Sequence, residues 1–245
     1  MSASFLDRVV LVTGAGQPLA DAVARLFTAQ GARVALVFLA DDAEAAAAFA
    51  AELPAISCQA CDPADPKSVK SAVRQVVERA GRLDVVVNAV TCRADGPISD
   101  LDDAVWKRVL DVELGGTVYF CREAIRPMLR QRSGAIVNLT DVAGLRGEAG
   151  AVNHASARGG VAAFTRALAS ELAPLGVRVN AIASGLLEGE LDRMPEARRD
   201  RIKAATPLGR GVRPEEVAEA VLFLASSASS FTTGHILQVN GGLYL

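Results

Sequence analysis

The sequence has no surplus of charge, no long apolar run and few cysteines, and each shortage removes a class of function. Lys and Arg number 26 against 28 Asp and Glu, a formal charge of −2, so there is no electrostatic footprint for nucleic acid or an anionic membrane surface. No apolar stretch approaches the roughly 20 residues that a bilayer span requires. Met1–Arg8 carries no basic segment followed by an apolar core, so no signal peptide is expected and the cytoplasm is the expected compartment. Cysteine occurs four times, at Cys58, Cys61, Cys92 and Cys121. Cys58 and Cys61 have the spacing of a metal or redox pair, but no second pair follows at zinc-ribbon distance. On a strand over Ile56–Cys61 residues three apart point to opposite faces. Reduced thiols serving as small apolar side chains, with no metal, are therefore expected. Internal repeats and linker-like breaks are also missing.

What is present is an ordinary globular composition, 51% apolar and 22% charged over 245 residues, long enough to bury a core without disulfides or metal. Val9–Val12, Arg33–Leu39, Ile56–Cys61, Val85–Asn88, Ala135–Leu139, Val177–Ile182 and Ile236–Val239 read as seven strands. Their mostly continuous apolar runs suit parallel strands buried on both faces. Helical stretches alternate with them. Asp65-Pro66 opens one, with Asp as N-cap and Pro at the first helical position, and Arg213-Pro214-Glu215-Glu216 opens another. A long helix is expected over Asp102 to about Arg132, ended or kinked near its C-terminal end by Pro127. Ala151–Leu172 is rich in Ala and Gly, and Gly159-Gly160 suggests close approach of a neighbour. The alternation implies one domain over residues 1–245. Its class is α/β, a Rossmann-like doubly wound sheet of seven parallel strands with helices on both faces.

The first strand leads into Thr13-Gly14-Ala15-Gly16-Gln17-Pro18-Leu19-Ala20 and a helix, where such sheets carry a phosphate loop. Further segments follow in a definite order: Cys61-Asp62, Val87-Asn88-Ala89, Ile136-Val137-Asn138-Leu139, Val142-Ala143-Gly144, Arg178-Val179-Asn180-Ala181-Ile182, and Thr233-Gly234-His235 through Asn240-Gly241-Gly242. Each is weak alone; together they make the chain resemble the short-chain dehydrogenases/reductases from end to end. The departures are informative. After Gly14, the second and third glycines of the family loop are Pro18 and Ala20. Glycine there lets backbone N–H groups approach a pyrophosphate, whereas Pro18 removes an N–H and adds a ring. The ribose-binding acid of the family falls at Phe38. Asp41 and Asp42 follow, but they stand where a helix over Ala43–Glu52 needs an N-cap. Asp62 matches an adenine contact and Asn88 is retained, while Val87 and Val90 replace smaller neighbours. Tight dinucleotide binding by this chain is not expected.

By the same resemblance, the family's catalytic Ser, Tyr, Lys and Asn fall on Asp141, His154, Arg158 and Glu113, so all four are replaced. Ser184-Gly185 stands where Pro-Gly is usual. Two readings compete. His154 could replace Tyr as acid/base, oriented by Asp141, although the permanent charge of Arg158 should disfavour an imidazolium. Alternatively, Arg158 and the carboxylates form a hydrogen-bonded plug in a former active site, with His154 satisfying the remainder. The plug is the leading expectation, and with it no catalytic residue. The stretch Leu186–Arg210 corresponds to the family's substrate lid; its five basic and five acidic residues within Glu188–Lys203 point to no phosphate or CoA site. The parts that survive are those that build subunit interfaces in the family, and the apolar C-terminus, Gly241-Gly242-Leu243-Tyr244-Leu245, is expected to dock. The chain is thus similar to the silent subunits of heteromeric members, such as a mitochondrial ketoacyl reductase or the hydroxyacyl-CoA dehydrogenase of benzylsuccinate breakdown. This implies an active paralogous partner, a heterotetramer, and NAD or NADP in that partner. An atypical oxidoreductase and a ligand-binding regulator are the alternatives.

Overall fold

The structure, a computed structural model, describes residues 5–245; the expectation about a leader rests partly on residues 1–4, outside the described residues. In chain order the elements are β1 (Val9–Thr13), α1 (Pro18–Ala29), β2 (Arg33–Phe38), α2 (Ala43–Ala51), β3 (Ser57–Ala60), α3 (Pro66–Ala80), β4 (Val85–Asn88) and α4 (Asp103–Leu110). A π-helical turn (Asp111–Gly115) leads to α5 (Gly116–Gln131), β5 (Gly134–Asp141), α6 (Val142–Arg146), α7 (Val152–Leu172), β6 (Val177–Ser184), α8 (Glu188–Asp192), α9 (Glu196–Ala205), α10 (Pro214–Ala225) and β7 (Ile236–Val239). All strand pairs are parallel and the sheet order is β3-β2-β1-β4-β5-β6-β7. This is the Rossmann-like α/β architecture.

The apolar runs have two-sided burial as their cause. Val10, Val12, Val34 and Leu36 face a core with α1, α2 and α10, and Val9, Leu11, Ala35 and Val37 face the opposite core with α3, α5 and α7. Successive strand residues alternate faces, so a strand covered on both sides needs apolar residues at every position. Cys58 packs on the first core and Cys61 in the second, and all four thiols are free. No His/Cys/Asp/Glu group able to hold a metal occurs among the described residues, and no helix there is long and apolar enough to cross a membrane.

Several boundaries differ from expectation. β5 and β6 continue past their apolar runs to a paired Asp141 and Ser184, because an in-register parallel ladder needs only backbone groups. That extension carries Asp141 to the top of the sheet. Pro127 does not end the long helix: it is buried within α5, and Phe120, Ala124 and Met128 hold the surrounding turns on the sheet. The helix stops at Arg132, whose φ is 50°. A π turn interrupts it instead. The expected capping by Asp41 or Asp42 is also corrected. Asp42 occupies the N-cap position of α2 without a capping bond, and its carboxylate accepts from Gln17 instead. The Gly159-Gly160 neighbours lie within the chain: a Cβ on Gly159 would stand 3.1 Å from the Gly144 carbonyl oxygen, and one on Gly160 would stand 2.8 Å from Leu114. At the C-terminus the Tyr244 carbonyl is held by Asn240, residues 241–244 are half-buried and the side chain of Leu245 is exposed.

Candidate functional site

Strand order reverses between β1 and β4, and such a switch point opens the crevice in which open α/β sheets bind ligands. Thr13 ties the two strands there, its Oγ1 accepting from the Ala89 and Val90 N–H groups. Gly14 and Gly16 both adopt φ +90°, the conformation that suits glycine, and a Cβ on Gly16 would stand 2.9 Å from the Ala46 nitrogen. Pro18 starts α1 and Ala20 is buried. The turn's own side chains then fill its polar positions. Asp21 accepts the Gly16 N–H at 2.8 Å. Gln17 accepts from the Thr91 N–H at 3.1 Å and donates to the Thr91 carbonyl at 3.0 Å and to Asp42 at 2.9 Å. Gln17 therefore straps the loop after β1 to those after β2 and β4. A carboxylate on a loop N–H, an amide across the crevice and a proline nitrogen fit a pyrophosphate poorly, since its anion needs those N–H groups free.

The neighbouring positions are likewise engaged. Phe38 packs against the α1–α2–α10 core. Asp62 accepts from Arg108 at 2.8 Å and from the Ala64 N–H. Asn88 is buried and donates to Asn138 at 2.8 Å, bracing β4 against β5 rather than facing the crevice.

Glu113, Asp141, His154 and Arg158 come together. Glu113 leaves the middle of the long helix in the π turn and is completely buried. Its Oε1 accepts from the Thr91 hydroxyl at 2.8 Å and the Cys92 N–H at 2.9 Å; its Oε2 lies 2.9 Å from His154 Nδ1 and 3.2 Å from Arg158 Nε. The arginine contact is an ion pair without hydrogen-bond alignment. His154 and Arg158 stand one turn apart on α7. His154 Nε2 lies 2.5 Å from Asp141 Oδ2, and Asp141 Oδ1 caps α6 at the Gly144 N–H. Arg158 donates to the Leu139 carbonyl at 2.8 Å and the Val90 carbonyl at 3.3 Å.

Charge explains the geometry. Burial opposes a protonated His154, yet the bonds and charges of Asp141 and Glu113 raise it to about 9. The imidazolium is thus favoured, and the expectation that Arg158 would suppress it is corrected: two carboxylates outweigh one guanidinium. Burial alone would raise Glu113, but Arg158, with His154 and the Cys92 N–H, holds it at about 2. Burial likewise opposes ionised Asp141, which the His154 bond, with charge from His154 and Arg158, keeps below the usual carboxylate range. Two cations and two anions make a neutral quartet. Both ring nitrogens of His154 are donors in it, so the imidazole has no free position for a substrate proton.

Above Asp141, whose side chain is 21% exposed, lies a cavity of about 370 Å³ between the ends of β5 and β6 and the α6 and α8 regions. The residues after β6 that correspond to a lid form α8 and α9, and Leu186, Leu187 and Arg193 line it. Sequence reasoning did not find Gln17, Asp21, Thr91 or the cap from Asp141 to Gly144. Glu113 and the Thr91 hydroxyl are in sight of each other only after the π turn forms, and no local spacing signals that. An Asp three residues before Gly144, just ahead of a helix, was a legible capping signal.

The fold and crevice define a dinucleotide-fold oxidoreductase scaffold. A family model described as "Enoyl-(Acyl carrier protein) reductase" matches residues 14–244. The 3-oxoacyl-(acyl-carrier-protein) reductase of Chlamydia trachomatis is 34% identical over 250 residues, covering 99% of this chain and 100% of its own. The cis-4-hydroxycyclohexanecarboxylate dehydrogenase of Sinomonas cyclohexanicum is 39% identical over 248 residues, covering 99% and 98%. The meso-2,3-butanediol dehydrogenase of Serratia marcescens is 37% identical over 242 residues, covering 97% and 95%. The chain belongs to the short-chain dehydrogenase/reductase family.

Proposed function

We propose that the chain is the non-catalytic subunit of an NAD(P)-dependent hydroxyacyl(-CoA) dehydrogenase or ketoreductase in the cytoplasm. Its partner is a paralogue that keeps Ser, Tyr, Lys and Asn, in a heterotetramer. The observation that carries this reading is the bonding of His154 at both nitrogens, to Glu113 and Asp141. An acid/base must exchange its proton with substrate, and His154 can do so only by giving up a buried ionic bond. The engagement of the phosphate loop by Asp21 and Gln17 supports the companion reading that this chain holds no dinucleotide tightly. NAD or NADP then belongs to the partner. Of the three relatives described above, one is named as an acyl-carrier-protein reductase and two as dehydrogenases of small hydroxylated compounds, which supports redox chemistry in the complex and leaves its substrate open.

A second reading, an atypical oxidoreductase working through His154, is favoured by one feature: Asp141 bonds His154 and also lines the cavity, a route for a proton. Native mass spectrometry after co-expression with an intact paralogue separates the two. The silent subunit is expected in a mixed tetramer whose activity depends on the paralogue's Tyr and, per assembled tetramer, survives His154→Ala. A homo-oligomer of this chain that oxidises or reduces substrate alone would overturn it.

A further inference from the structure

Four arginines line the cavity above Asp141, and they differ in what they hold. Arg158 is committed to the buried quartet, and Arg93 is paired with Asp95 and Glu148. Arg146, the last residue of α6, and Arg193, just after α8, are exposed at the mouth, and among the described residues neither has a side-chain partner. The acids beside them are engaged. Glu148 is held by Arg93 and Arg198, and Glu190 accepts the Leu187 N–H. Glu190, whose only side-chain bond among the described residues is to that neutral N–H, keeps its charge, so Arg146 and Arg193 against Glu190 leave the mouth with an excess of one positive charge. Below it, Leu19, Val142, Leu186 and Leu187 form apolar walls. The cavity, about 370 Å³, falls within the usual size range of small-molecule sites.

We propose that this cavity binds an amphiphilic anion, with its apolar body between those leucines and a carboxylate or phosphate head at Arg146 and Arg193. The inference rests on the reading that no nicotinamide occupies the same space. Apolar walls supply affinity and the two guanidiniums supply orientation, the usual division of labour in small-molecule sites. Guanidinium suits either head because its planar fork matches both geometries. A cationic head would meet an excess of like charge.

Isothermal titration of the full chain with octanoate, octyl phosphate, 1-octanol and octylamine tests this. Saturable binding is expected for one or both anions, with octanol weaker and octylamine inert; which anion binds more tightly identifies the head. Arg146→Ala/Arg193→Ala, confined to exposed positions, should weaken the anions about tenfold and leave octanol unchanged, since two exposed ion pairs are removed. Val142→Trp should fill the cavity and abolish binding of every chain. Equal affinity for octanol and octanoate, an unchanged double variant, or no anion binding would overturn the inference. NADH titrated into the same samples reads the underlying assignment separately. Competition between NADH and octanoate overturns both, whereas inert octanoate with inert NADH overturns this inference alone.

Discussion

Glu113 Oε2 lies 2.9 Å from His154 Nδ1, an ion pair between a π turn and the Ala-rich helix at positions to which the family resemblance assigns a neutral amide and a phenol. Charging one of those positions alone would strand a buried charge. Charging the three neutral positions, with Arg158 standing where the family resemblance implies an already cationic lysine, gives a quartet that is neutral, with both Glu113 oxygens and both His154 nitrogens occupied. The substitutions are therefore coupled, and their consequences should be measurable in stability as well as in activity.

Breaking the quartet is the first test. Arg158→Ala and His154→Ala each leave a buried carboxylate short of its cation, and each should cost about 3–5 kcal/mol of unfolding free energy. Urea denaturation reads the loss, with the soluble fraction as a check on folding. A cost under about 1 kcal/mol for both, within the range of exposed pairs, would show that the cluster is solvated rather than closed.

The pH dependence follows from the same residues. His154 is raised from 6.5 to about 9, so its contribution is complete below about 6.5 and fades as pH climbs through 9. Glu113 is lowered from 4.5 to about 2, and Asp141 is also lowered. Their contributions are complete above about 4.5 and fade as pH falls through the folded-state values. Melting temperature should therefore peak between about pH 4.5 and 6.5 and decline toward pH 9.5. His154→Asn should remove the alkaline decline; a variant that kept the full slope would assign it to another group.

Much of this was legible in the sequence, and the reasons are local. Continuous apolar runs such as Val9–Val12 announce a strand covered on both faces, and Asp65-Pro66 announces a helix start that the structure uses, with Asp65 capping Lys67 and Ser68. Motif spacing also singled out Glu113, Asp141, His154 and Arg158 as one group, and the structure brings these four side chains together. The strap from Gln17 to Thr91 and Asp42 was not legible, because its partners lie 74 and 25 residues away and glutamine has no preferred role in a turn. Nor was the π turn, which places Glu113 against Thr91 and Cys92; polar contacts formed across loops leave no periodicity to read.

The strap makes a prediction about nucleotides. NADH should bind this chain more weakly than about 1 mM, and Pro18→Gly alone should not rescue it, because Asp21 still accepts the Gly16 N–H and Gln17 still spans the crevice. The variant should lose about 0.4–1 kcal/mol, since glycine frees the unfolded chain where proline restrains it. Fluorescence titration with NADH decides the point. Micromolar binding by the unaltered chain would mean that the strap opens readily.

Helix contact behind the quartet gives the last test. A methyl group on Gly144 would stand 2.7 Å from the carbonyl carbon of Arg158 and 2.8 Å from the Gly159 nitrogen. Both are backbone atoms, so α6 and α7 must separate. Their separation would move the Arg158 carbonyl, which accepts from Thr140 Oγ1 at 2.9 Å, and would shift the guanidinium that faces Glu113. Gly144→Ala should cost about 1–3 kcal/mol, the usual range for overpacking. At this chain length that lowers the melting temperature by roughly 2–4 °C per kcal/mol. Gly160→Ala would meet only the tip of Leu114 at 2.8 Å. That side chain can rotate, and alanine regains about 1 kcal/mol of helix propensity, so the two effects should nearly cancel. Gly159→Ala, 3.1 Å from the Gly144 carbonyl oxygen, should fall between them. If Gly160→Ala proves the most damaging, the tight contact is with the π turn rather than α6. The quartet would then owe its alignment to the long helix, because Glu113 rides on that turn.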